Sequence, residues 1–114
     1  MRAEERQRTA EDSFGPELTQ EIDRVMCGFD LGSREVLRLM LKYGELTERG
    51  ARSRVEQSGL MTSQTTFLYG LAERTGWLLK TQSSPHPHVS RDEDRYEIAP
   101  RIRPYLIAWF EKNR

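Results

Sequence analysis

The chain has 114 residues, 18 of them Lys or Arg and 18 Asp or Glu, so its formal charge is zero. Hydrophobic residues make up 36% and charged residues 32%, the balance of a helical chain with one modest core and polar outer faces. Within these residues that excludes two core-bearing domains, an apolar run of roughly 18 residues able to span a bilayer, and an intramolecular disulfide, because Cys27 is the one cysteine.

Charge is spread unevenly. Residues 1–32 carry 4 basic and 8 acidic side chains, residues 33–81 carry 8 and 5, and residues 82–114 carry 6 and 5. The middle segment is therefore basic by three charges, a modest patch that permits attraction to phosphate without demanding it. Residues 1–15 hold four acidic and three basic side chains and no apolar stretch. They read as a disordered N-terminal tail with no signal peptide, ahead of a single domain over 16–114. With a lone thiol, a reducing, cytoplasmic location is the expectation.

The first helix is expected over 16–29, with Pro16 in its opening turn and Leu18, Ile22, Val25, Met26 and Phe29 on one stripe. Ser33 is the expected N-cap of a second helix over 34–43. Val36, Leu37, Leu39, Met40, Leu41 and Tyr43 cover more than half its circumference, which predicts the central helix of the core. Gly44 ends it. Thr47 suits the N-cap of a third helix, thinly apolar through Ala51 and Val55 and ending at Gly59. Thr62 or Ser63 caps a fourth, over 63–75, with Phe67, Leu68 and Leu71 inward and Gly76 closing it.

Two short β-forming segments follow, 77–81 and 95–99, with Leu79, Tyr96 and Ile98 as core candidates. Between them lies QSSPHPHVSRDED, read as a long polar hairpin tip. Pro104 fits the first turn of a closing helix whose apolar face holds Ile102, Tyr105, Leu106, Trp109 and Phe110, widened by Ile107.

This order, with GELT entering the third helix, GWLLKT entering the hairpin and RYEIAPRIRPYLIAWF leaving it, resembles the winged helix-turn-helix superfamily. Bacterial and archaeal regulators of the MarR and PadR kind are the nearest comparison. The resemblance covers residues 33–114. It implies an α+β, mostly helical fold, a winged helix-turn-helix with additional N- and C-terminal helices. It also implies a DNA-binding protein, a dimeric transcriptional regulator that reads double-stranded DNA with helix 63–75 and a β-wing over 77–99. A nucleoid-associated location follows from that.

Under the same reading Ser63, Gln64, Thr65, Thr66 and Tyr69 are candidates for groove contacts. Glutamine can pair with adenine, and Ser and Thr reach phosphates from a helix N-terminus. Arg49, Arg52 and Arg54 are candidates for phosphate positioning, or else pair with Glu48 and Glu56 on a solvated face. Arg91, with His86 and His88, lies in the wing tip, beside Asp92, Glu93 and Asp94, which would repel phosphate. Terminal helices of such regulators commonly pair, which makes Tyr105, Ile107, Trp109 and Phe110 the candidate homodimer interface.

Several features point elsewhere. His86-Pro87-His88 near three acids offers ligand types for zinc or manganese, but flanking prolines give no preorganised geometry, so neither a metal nor another cofactor is expected. No nucleophile–base pair suggests an enzyme. Cys27 lies opposite its helix's apolar stripe and reads as an inert thiol, with an intermolecular redox bridge as the alternative. The rival function is a winged helix used as a protein-interaction adaptor or accessory subunit. Zero net charge and a fourth helix whose one basic residue is Arg74 favour it.

Overall fold

A computed structural model describes residues 15–60 and 67–113. The expected tail over 1–15 thus lies outside the described residues, Gly15 excepted. The fold is α+β and mostly helical. Its elements are α1 Pro16–Cys27, α2 Leu31–Tyr43, β1 Glu45–Thr47, α3 Glu48–Gln57, α4 Phe67–Thr75, β2 Leu78–Gln82, β3 Arg95–Ile98 and α5 Arg103–Lys112.

Helix α1 opens at Pro16, whose missing N–H costs nothing in a first turn. It stops at Cys27, two residues earlier than the apolar stripe suggests. Gly28 follows it, and Arg34 reaches back to bind the Met26 and Cys27 carbonyls at 2.9 and 3.1 Å. Those bonds satisfy acceptors that a helix end leaves orphaned.

Helix α2 begins at Leu31, not at Arg34, and its N-cap is Asp30 rather than Ser33. Ser33 is instead a buried residue of the first turn, and its hydroxyl donates to Asp30 Oδ1 at 2.6 Å. Small side chains at Gly32 and Ser33 let this turn sit inside the core, so the helix extends to the next extended residue upstream. Val36, Leu37, Leu39 and Met40 are buried, and α2 touches α3, β1, β3 and α5, as a central helix should. Each such burial is worth about 1.5–3 kcal/mol. Tyr43, expected inside, is half exposed, with the Arg54 guanidinium 4.4 Å from its ring centroid.

Gly44 ends α2 with φ of 89°, a conformation that favours a residue without Cβ. The chain then forms β1, a strand of three residues too short to carry an alternating pattern of its own. It pairs antiparallel with β3, Leu46 opposite Tyr96, while β2 pairs with the other edge of β3. The sheet order is β1-β3-β2.

Thr47 caps α3 as expected, its hydroxyl accepting the Gly50 N–H at 3.0 Å. In the hairpin, Trp77 and Leu78 are buried along with Tyr96 and Ile98, whereas Leu79 is exposed. Leu79 lies opposite Glu97 on the outer face, so the alternation of the strand is one residue out from that expected. Helix α5 carries Pro104 in its first turn and packs on α1, with Tyr105 and Trp109 buried between them. The Tyr105 hydroxyl accepts the Gly15 N–H at 2.9 Å, and Trp109 Nε1 donates to Asp23 at 2.9 Å.

Candidate nucleic-acid interface

The first turn of α3, the first turn of α4 and the end of the β2–β3 loop meet at one side of the sheet. Glu48, the first residue of α3, makes the central link. Its side chain is fully buried, and Oε1 accepts the Tyr69 N–H at 2.6 Å, with the Leu68 N–H directed at the same carboxylate. A glutamate thus closes the open amides of α4 from another helix. Burial pushes its carboxyl above the ordinary value, against the pull of the two N–H groups. Its Oε2 has no hydrogen-bond partner among the described residues.

A second buried acid anchors the loop. Asp94 accepts the Ser84 N–H at 2.6 Å, and its Oδ2 stands 3.4 Å from Lys80 Nζ and 3.7 Å from an Arg91 nitrogen. Burial by itself would raise this carboxyl, but the Ser84 N–H and the Lys80 ammonium outweigh it and hold it below the ordinary range. Between these acids lies the buried Tyr96. Its phenol is pushed up to about 12 by burial and by the nearby Asp94 and Glu48 carboxylates. The residues between Gln82 and Arg95 are therefore not simply a polar tip: Ser84 and Asp94 at their base are buried.

The predicted interface residues fall into three groups. Ser63, Gln64, Thr65 and Thr66 lie outside the described residues. Tyr69, Arg49, Arg52 and Arg91 converge. Tyr69 is exposed beneath Arg91, whose guanidinium carbon lies 4.7 Å from the ring centroid. Arg52 bonds Asp92 Oδ1 at 2.8 Å, and Arg49 stands 3.5 Å from both Asp92 and Glu93. The acids bonded to these arginines come from the β2–β3 loop, forty residues along the chain from Arg52, while Glu48 also lies within electrostatic reach of Arg52. Arg54 is apart from them, stacked on Tyr43.

Of the candidate interface residues on α5, Tyr105 and Trp109 are inside the chain. Ile107 and Phe110 face a groove of about 580 Å³ together with Leu41, rimmed by Arg38, Lys42 and Glu111. Cys27 is exposed, 3.7 Å from Asp23. The His86 and His88 rings meet edge to face, 6.2 Å between centroids.

The anchoring roles of Glu48 and Asp94 were not read from the sequence. The available signal was an acid directly after a good N-cap and an acid directly before a strand, both of which also suit ordinary surface positions.

Comparison with known protein families, with curated proteins and with solved structures finds no match for the chain. No helix among the described residues is long and apolar enough to cross a membrane.

Proposed function

We propose that the chain is a winged helix-turn-helix protein that binds double-stranded DNA, acting as a dimeric transcriptional regulator. One observation carries the reading. The order α2-β1-α3-α4-β2-β3, with β3 central in the sheet, brings the start of α4 and the β2–β3 loop to a common surface, marked by the Tyr69–Arg91 stack. A helix presented with a β-wing beside it is a geometry for entering a major groove and touching the flanking backbone. In this arrangement Ser63, Gln64, Thr65, Thr66 and Tyr69 read bases or approach phosphate, and Arg49, Arg52 and Arg91 position the duplex.

The dimer contact in this proposal is the groove between α2 and α5, and its occupant is a second copy of the chain. Leu41, Ile107 and Phe110 supply an apolar floor. The rim carries Arg38 and Lys42 on one helix and Glu111 on the other, so a two-fold arrangement sets opposite charges face to face. Tyr105 and Trp109 are spent on the chain's own core and take no part.

A second reading, docking to a protein, draws on the pairing of Arg49 and Arg52 with Asp92 and Glu93, which leaves a nearly neutral surface. Fluorescence anisotropy with duplex DNA at about 50 and about 200 mM salt separates the two. Binding that weakens steeply with salt supports the DNA reading. No binding even at the lower salt supports the protein reading.

A further inference from the structure

The phosphate-facing groups of the proposed interface already hold anions, and those anions belong to the chain. Arg52 is bonded to Asp92 at 2.8 Å, and Arg49 lies 3.5 Å from Asp92 and from Glu93. The main chain repeats the pattern. The N–H groups of Glu48 and Arg49, donors that a helix N-terminus can offer to phosphate, go to the carbonyl oxygens of Asp94 and Asp92 at 2.9 and 3.1 Å.

The three consecutive acids differ in how they are held. Asp94 is fully buried and fixed by Ser84 and Lys80, so it is part of the fold. Asp92 and Glu93 are solvent-accessible, with side chains 31% and 57% exposed, and Arg49 is 66% exposed. Ion pairs open to water are weak and exchange partners readily. A DNA phosphate presents the same acceptor chemistry as these carboxylates and binds the same guanidinium fork.

We infer that Asp92 and Glu93 form an autoinhibitory contact, competing with DNA phosphates for Arg49 and Arg52. The inference rests on the DNA-binding reading above. Binding then requires the wing's acids to release two arginines that the duplex takes over. Weak, salt-sensitive, non-specific association is suppressed, and sites that also engage the α4 side chains are favoured.

The test compares the parent chain with Glu93→Gln, with the double variant Asp92→Asn/Glu93→Gln, and with Glu21→Gln. The last removes one charge from an exposed acid on α1, away from this surface and from the α2–α5 groove. Affinity for a defined duplex is measured across about 50–200 mM salt, with melting temperature as the check on folding. The double variant is expected to bind roughly threefold to tenfold tighter at the lower salt, with the gain shrinking at the higher salt, where the acids are screened from the arginines. Glu93→Gln, confined to a half-exposed side chain, moves part of the way even where Asp92→Asn loosens the loop. If Glu93→Gln and the double variant gain no more than Glu21→Gln, the competition is refuted while the DNA reading stands. If neither parent nor variants bind, the DNA reading itself is refuted, and the inference with it.

Discussion

Replacing Glu48 by alanine removes the carboxylate that closes the first turn of α4 from inside the core. The loss has two parts. A helix cap is worth about 0.5–2 kcal/mol, and a buried donor left unmade costs about 1–3 kcal/mol. Relief from burying an acid near Asp94 offsets some of this, since burial works against the charged form. A net loss of about 2–3 kcal/mol follows, which for a chain of this size lowers the melting temperature by roughly 8–12 °C. Glu48→Gln keeps an acceptor for the Tyr69 N–H and loses less than about 1 kcal/mol.

The two variants also differ in pH dependence. The folded carboxyl is raised above 4.5, so its contribution to stability is full below that value and is lost as pH rises through the folded pKa. The parent should therefore lose melting temperature relative to Glu48→Gln as pH rises above 4.5. Thermal melts followed by circular dichroism across that range provide the measurement. A Glu48→Ala melt within about 2 °C of the parent would refute the capping role. A gap between parent and Glu48→Gln that does not vary with pH would refute the buried charge.

Asp94 works in the opposite sense. Its lowered carboxyl contributes stability that is present above 3.8 and lost as pH falls below it. Asp94→Asn should cost about 1–3 kcal/mol at neutral pH and flatten the acid limb of a urea-midpoint profile, and an unchanged acid limb would count against it. Gly76 holds φ of 70°, so Gly76→Ala should destabilise by about 1 kcal/mol in urea titration. Ile107→Asp should convert a sedimenting dimer to a monomer with an unaltered far-ultraviolet spectrum. A parent that sediments as a monomer would remove the groove from the account. Gln64→Ala should change which sequences are preferred, whereas Arg52→Ala should weaken all duplexes alike and lower the salt slope by about 0.9.

What could be read from the residues was local. Thr47 and Pro104 mark helix starts through groups within three or four positions of themselves, and Gly44 and Gly76 mark ends through their own backbone freedom. The unread features are held by distant partners. β1 is three residues long and exists through pairing with β3, some fifty positions later. The strand pattern WLL permits two alternations, and the choice of Leu78 over Leu79 is made by register with Ile98. Asp30 displaced Ser33 as the cap because a buried first turn gained more from small residues than from a later start. In the candidate interface the arginines could be picked out by type, but their acids could not, since Arg52 and Asp92 come together only once the sheet has formed.

The most direct test of the account is selection of the purified chain against a random duplex pool at about 50 and about 200 mM salt, with sequencing of the retained DNA. Retention should fall steeply at the higher salt, and an inverted repeat with half-sites about one helical turn apart should be enriched. No retention at the lower salt would contradict the account.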